Sequence, residues 1–261
     1  MPRAVFRLYA ELNDLLPPDL RQRDLPRTVG EGRTVKDAVE ALGVPHTEVE
    51  VILANGVSVG FDHRVRDGDR VAVYPVFEGV DVTPLLRLRP RPLRDPRFVL
   101  DGHLGKLARS LRLLGFDALY ETDPRDEDLA RVSVTERRIL LTRDRGLLKR
   151  REVTHGYAVK SADPRRQLAE VVARFDLAGL SSPFTRCLVC NGRLEPVEAS
   201  DVAARLPPSV RGAGLPVRRC ASCSRLFWRG THTRSLERLI EDVLGPGRDD
   251  GRQGRGGVGP S

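Results

Sequence analysis

The sequence predicts an α/β protein: a parallel sheet with helices on both faces, a small mixed domain before it and a cysteine-bearing module after it. Three observations predict this. From Arg97 onward, short apolar runs alternate with amphipathic ones, the pattern of repeated strand–helix units that build a parallel sheet. Residues 1–80 carry their own β-β-α-β-β pattern, and all four cysteines fall in two C-x-x-C pairs late in the chain. With 261 residues, 40% of them hydrophobic, the chain is too apolar to be wholly disordered and long enough for one large or two small cores.

In the first 80 residues, Ala4 to Ala10 reads as a short strand. Thr34 is placed to cap a helix over 35–42 that Gly43 stops. Val49 to Leu53, a turn at Asn55-Gly56 and Val57 to Val59 read as a hairpin. Asp67-Gly68-Asp69 is a further turn before a strand over 70–74. From 81 to 96 the chain is rich in Pro and Arg and reads as a semi-extended linker. Phe98-Val99-Leu100 is a strand ending at Asp101, and the next helix places Leu104, Leu107, Ala108, Leu111 and Leu114 on one face before Gly115. A strand over 116–120, a helix opened by Asp126-Glu127-Asp128, and a strand over 138–142 ending at Arg143-Asp144 follow. A helix over Arg145–Arg151, a strand over 156–160 and a helix from Pro164 to about Phe175 complete the sheet region. Residues 245–261 are Gly-, Arg- and Asp-rich and read as a disordered tail.

Charge is unevenly distributed. The formal balance of +8 is carried almost wholly by arginine, with four lysines. Residues 1–80 sum to −3, residues 81–180 to +6 and residues 181–244 to +4, which suits a polyanionic partner for the later part of the chain only. No apolar run approaches the ~20 residues of a membrane span, and Met1-Pro2-Arg3 opens no signal-peptide core. The expectation is a cytoplasmic protein with no membrane partner.

Ligands of open parallel sheets sit beyond the carboxyl ends of the strands. Asp101 and Asp144 each follow a strand, and the acidic triplet 126–128 opens the helix after another. Any one of these residues could serve as a helix cap. Jointly they favour a divalent cation, because clustered carboxylates repel one another unless a cation lies between them. Oxygen ligands suit Mg²⁺ or Mn²⁺, which activate water for attack on a phosphodiester.

The blocks "FVLDGHLGKLARSLRLLGFDALY" (98–120), "ILLTRDRGLLKR" (139–150) and "PFTRCLVCNGRLEPV" (183–197) resemble the Mut-seven C-terminal RNase family, a branch of the PIN-like nuclease fold, over roughly residues 97–235. The resemblance implies a PIN-like sheet, an acidic metal site and an RNA substrate. Carried over, Asp101 is the first carboxylate, Asp144 the carboxylate of the Thr-Arg-Asp block, and one of Asp126, Glu127 or Asp128 the middle one, with Asp126 and Asp128 preferred. PIN-like nucleases commonly have another acid two positions after the residue matched to Asp144; here that position is Gly146. The family often carries an N-terminal ubiquitin-like domain, and "VILANGVSV" with "VRDGDRVAVYP" resembles the sulfur-carrier branch of the ubiquitin-like β-grasp fold. Those carriers end in a free Gly-Gly, whereas Phe77-Glu78-Gly79-Val80 continues into the chain. A binding or positioning module, open to a protein partner, is therefore expected in place of a sulfur carrier.

Lys106, Arg109 and Arg112 recur at spacing three beyond Asp101, and Arg143 adjoins Asp144. These four are the candidate RNA-backbone contacts. Cys187, Cys190, Cys220 and Cys223 form two knuckles able to hold tetrahedral Zn²⁺ in a closed, structural site of the zinc-ribbon kind, over 181–244. A cytoplasmic setting disfavours disulfides, and two complete pairs disfavour a redox role. Past the second knuckle, Phe227 and Trp228 read either as a base-stacking surface or as aromatic closure of the ribbon. The sequence as a whole predicts a metal-dependent ribonuclease with catalytic Asp101, Asp126, Asp128 and Asp144; a non-catalytic RNA-binding protein or adaptor on the same fold is the alternative.

Overall fold

The computed structural model describes residues 1–75, 96–228 and 233–245. The linker expected over 81–96 lies outside them except for Pro96, as do the tail beyond Gly245, the Phe77–Val80 stretch and Arg229 to His232.

The N-terminal unit has strands β1 (Arg3–Leu8), β2 (Asp24–Thr28), β3 (Val51–Ala54), β4 (Val57–Ser58) and β5 (Arg70–Tyr74), with helix α1 (Val35–Ala41) between β2 and β3. The sheet order is β2-β1-β5-β3-β4, with β1 and β5 parallel. This is a β-grasp arrangement. Thr34 opens α1 in a reciprocal capping box with Asp37. The backbone amide of Thr34, with its hydroxyl, holds the Asp37 carboxyl below its ordinary pKa. Phe6, Leu8, Val35, Val39, Ile52 and Val73 fill the core between α1 and the sheet. Strand β2 has no sequence signature, because Pro26 and the flanking charges interrupt any alternation.

The second unit has strands β6 (Arg97–Leu100), β7 (Asp117–Tyr120), β8 (Ile139–Thr142) and β9 (Gly156–Ala158), all parallel, in the order β7-β6-β8-β9. Helices α2 (Gly105–Leu113), α3 (Asp126–Thr135), α4 (Arg145–Leu148) and α5 (Pro164–Arg174) connect or follow them. Phe98, Leu100, Ile139 and Leu141 face α2 and α5, while Val99 and Leu140 face α3 and α4. A continuous apolar run such as Ile139-Leu140-Leu141 is thus buried on both sides. Helix α4 ends at Leu148, a turn earlier than the expected Arg151. A helix not anticipated from the sequence, α6 (Thr233–Leu244), returns Leu239, Ile240, Val243 and Leu244 to the core beneath α2 and α5. Antiparallel strands β10 (Leu194–Val197), β11 (Val217–Cys220) and β12 (Leu226–Trp228) form the C-terminal ribbon. No described helix is long and apolar enough to cross a membrane.

Each edge strand of the parallel sheet has an outward backbone group held by a side chain from a neighbouring unit. At β9, the outward N–H of Ala158 donates to Glu48 Oε1 of the β-grasp unit. His46 Nε2 lies 2.7 Å from the carbonyl of Val153, and Lys160 Nζ pairs with Asp14 at 2.9 Å. At β7, the N–H of Ala118 donates to Asn191 Oδ1 (3.0 Å) and its carbonyl accepts from Arg112 Nε (2.8 Å). Asn191 belongs to the first cysteine knuckle, and Arg112 also donates to the knuckle carbonyl of Val189 at 2.9 Å. This overturns the RNA-contact expectation for Arg112: it is only 5% exposed and committed to backbone. Spacing three groups it with Lys106 and Arg109, but the helix turns its guanidinium inward.

Asp117 ties this edge together. It accepts from Arg138 (2.6 Å) and from Asn191 Nδ2 (2.7 Å), and it pairs with Arg186 at 3.2 Å. Burial pulls its carboxyl upward, but the hydrogen bonds from Arg138 and Asn191 and the two guanidinium charges outweigh burial and hold it below its ordinary value. A depressed carboxylate stabilises the fold above the unfolded pKa of ~3.9 and loses that contribution as pH falls further.

Two outcomes are expected. Glu48→Ala leaves the buried Ala158 amide without an acceptor and destabilises the protein by about 1–3 kcal/mol in denaturant unfolding, with faster hydrogen exchange at Ala158; Glu48→Gln, which keeps an acceptor, loses less. The stability gap between wild type and Asp117→Asn is full at neutral pH and shrinks below about pH 4, as thermal melts across a pH series would register.

Candidate functional site

The strand order places β6 between β7 and β8, so the chain reverses direction across the sheet beside β6, and the crevice at that point is where open parallel sheets accept ligands. An open depression of about 440 Å³ lies there, lined by Asp101, Asp123, Asp126, Asp144, His103 and Arg143 among others. Asp101 and Asp144 follow adjacent strands and are joined through one side chain. Thr142 is fully buried; its hydroxyl donates to Asp101 Oδ2 (2.7 Å) and accepts from the backbone N–H of Asp144 (2.9 Å).

Two glycines let the turn after β6 approach the end of β7 and the loop beyond it. A Cβ on Gly102 would come within 2.8 Å of the Thr122 carbonyl, and one on Gly105 within 2.7 Å of the Tyr120 ring. The Tyr120 hydroxyl donates to the carbonyl of Gly102 at 2.9 Å, fixing the loop to the turn after β6. Asp101 makes no side-chain cap to the helical turn that follows it. Asp144, in contrast, does cap α4, accepting from Gly146 N–H at 2.7 Å.

The structure thus brings Asp101, Asp126 and Asp144 to one depression. Asp128 lies elsewhere: it pairs with Arg125 (3.0 Å) and Arg131 (2.7 Å) and lines a neighbouring hollow with Glu121 and Leu129. Hydrogen bonds from Arg131 and Arg125 hold its carboxyl below its ordinary pKa. On α3, positions 126 and 128 point about 200° apart around the helix axis at 3.6 residues per turn, so one metal cannot engage both. Lys106 and Arg109 are exposed on α2, and Arg143 borders the depression. Sequence reasoning missed Asp123, His103 and Thr142. The first two sit in an irregular loop and a helical turn without periodicity, and the third reads as an ordinary strand residue.

The four cysteines form a separate site. Their Sγ atoms all lie within 4.8 Å of one another, the one group of three or more possible ligands at such spacing among the described residues. Cys187 and Cys223 are 3.7 Å apart, Cys190 and Cys220 3.4 Å. Each knuckle is a tight turn: Asn191 N–H donates to the carbonyl of Cys187, and Ser224 N–H to that of Cys220. Asn191 and Ser224 take left-handed backbone angles to make it. Burial raises the Cys187 and Cys190 thiols, the latter to about 12, with close cysteine partners adding to the rise at Cys190. At Cys220 burial is outweighed by the backbone amides of Cys223 and Ser222, which bring that thiol down to about 7. A four-thiolate set of this geometry fits a tetrahedral thiophilic ion such as Zn²⁺.

Comparison with known proteins agrees with the two units. Residues 96–240 match the family described as the Mut7-C RNAse domain, and residues 1–81 match that described as Mut7-C ubiquitin. Solved structures similar to the N-terminal part include small archaeal modifier protein 1 of Haloferax volcanii, at 20% identity and a TM-score of 0.25, covering 30% of this chain and 100% of that one. A Pyrococcus furiosus protein titled as a molybdopterin converting factor, subunit 1, is similar at 22% identity and a TM-score of 0.24, with coverage of 30% and 100%. No curated protein matches. With more than half its length matched, the chain belongs to the Mut7-C RNAse domain family and carries a ubiquitin-like β-grasp unit at its N-terminus.

Proposed function

We propose that this chain is a metal-dependent ribonuclease that hydrolyses RNA phosphodiester bonds at the depression beside β6 and β8. The observation that carries the reading is the Asp101–Thr142–Asp144 connection at the strand ends, inside a depression that also gathers Asp126 and Asp123. Carboxylate oxygens of this kind suit a hard divalent cation such as Mg²⁺ or Mn²⁺. Bound there, the cation would supply Lewis-acid stabilisation of the phosphate and a lowered pKa for attacking water. The chain's own residues do the rest. Thr142 fixes the rotamer of Asp101, Arg143 offers a guanidinium to the phosphate at the rim, and Lys106 with Arg109 hold the RNA backbone along α2. Cys187, Cys190, Cys220 and Cys223 hold a structural Zn²⁺, which leaves no open coordination position for chemistry. The reading divides the chain into a β-grasp module (1–80) that recruits a protein partner, a nuclease unit (97–180) and a zinc ribbon (181–244).

A second reading, RNA binding without hydrolysis, is favoured by one feature: Asp144 is drawn onto the Gly146 N–H as a helix cap, and Gly146 supplies no further carboxylate. Cleavage assays separate the two. On single-stranded RNA with Mn²⁺, Asp101→Asn and Asp144→Asn should each lose roughly 10²-fold or more in rate, while Asp128→Asn stays near wild type. Wild-type rates in Asp144→Asn would refute the site, and RNA binding with no cleavage in any metal would favour the second reading. Elemental analysis should find one zinc per chain, and stripping it should lower the melting temperature without a metal-dependent change in the β-grasp spectrum.

A further inference from the structure

A second cavity, of about 340 Å³, opens between the ribbon sheet, the segment following Leu180 and helix α6. Its volume falls within the ~300–1,000 Å³ typical of small-ligand sites. Phe184, Phe227, Trp228 and Leu236 give it apolar and aromatic walls, and Arg186 and Arg218 stand among them. Phe184 and Phe227 are half-buried, and Phe227 shares the Arg218 face of the ribbon; Trp228, the next residue on β12, packs with Val202 and Val217 on the other face and meets the cavity at its margin.

Phe184 has a backbone φ of 60°. A bulky side chain in the left-handed region is strained, and such strain persists where the surrounding structure over-determines it. Here the Phe184 amide donates to the carbonyl of Leu113 at 3.0 Å, at the end of α2. Glycine would fit this backbone without strain but would leave the cavity without one of its rings.

The charge at the cavity has one sign. Arg186 is spent on Asp117 (3.2 Å) and on the carbonyl of Asn191 (2.9 Å). Arg218 is exposed, lies opposite Phe227 in the β11–β12 register, and has no ion-pair partner among the described residues. Among the described residues no carboxylate lines the cavity, which disfavours a cationic ligand. A flat ring carrying an anion fits both halves: the ring enters between the aromatic side chains and the anion meets the Arg218 guanidinium.

We infer that the ribbon cavity binds one unpaired nucleobase of single-stranded RNA, with the adjoining phosphate on Arg218. The inference rests on the reading of this chain as one that acts on RNA, and it adds a contact outside the acidic depression that positions the strand. Recognition through stacking alone tolerates any base.

Trp228 is the sole tryptophan in the sequence and adjoins Phe227 on β12, so its fluorescence reports on the strand that borders the cavity. The full-length, zinc-loaded chain is titrated without Mg²⁺ or Mn²⁺ using a 2′-O-methyl hexauridylate, which allows binding to be read apart from cleavage. Saturable quenching is expected. Phe184→Gly, which relieves the backbone while removing the ring, should weaken binding about 5- to 100-fold with an unchanged or raised melting temperature. Arg218→Ala should weaken it and flatten its salt dependence. Absence of quenching, or wild-type affinity in both variants, would overturn the inference. So would quenching by N-acetylphenylalanine amide but not by the RNA, which would assign the cavity to a protein side chain. Quenching by RNA in a protein that cleaves nothing would leave this site standing and remove the nuclease reading instead.

Discussion

A parallel sheet of four strands leaves a row of unpaired N–H and C=O groups along each outer strand, and the architecture of this chain turns on how those two rows are covered. Among the described residues neither is paired by a fifth strand. Glu48, carried by the β-grasp unit, accepts the outward amide of Ala158 on β9. Asn191 and Arg112 engage both backbone groups of Ala118 on β7. A buried donor without an acceptor costs more than a typical hydrogen bond contributes, so these few side chains set where the flanking units dock. The β-grasp unit and the ribbon are therefore structural partners of the parallel sheet.

The acidic depression follows from the same sheet. Because β6 lies between β7 and β8, carboxylates after β6 and β8 converge at the reversal of strand order, and Thr142 links them through a single hydroxyl. Gly102 allows the loop after β7 to approach, and Asp123 and Asp126 line the same depression. Asp144 serves two ends at once: it caps α4 and borders the depression. Capping and ligand binding need not be rival explanations of an acid at a strand end, since both use the space just past the last strand residue.

Much of this was legible in the sequence, for physical reasons that also explain the gaps. Apolar runs such as Phe98-Val99-Leu100 and Ile139-Leu140-Leu141 announce buried strands, and the strand–helix rhythm places Asp101 and Asp144 on one sheet edge. The cysteine spacing announces a four-thiol cluster outright. Residues whose role depends on side-chain direction were harder to read. Arg112 shares its spacing with two exposed cations yet turns inward to cover a strand edge, and Asp128 sits two positions from Asp126 on the far side of α3. Thr142, Asp123 and His103 carry no period or motif that marks them, and α6 follows residues that break the βα rhythm.

The first knuckle joins two otherwise separate matters. Asn191 immediately follows Cys190 of the four-thiol cluster, and its side chain holds the outer strand of the parallel sheet. The turn that presents Asn191 is the same turn that presents Cys187 and Cys190 to an ion. If an ion holds that cluster together, its removal would loosen the turn and uncover the backbone of β7 while the apolar core beneath stayed packed, leaving an open strand edge of the kind that invites self-association.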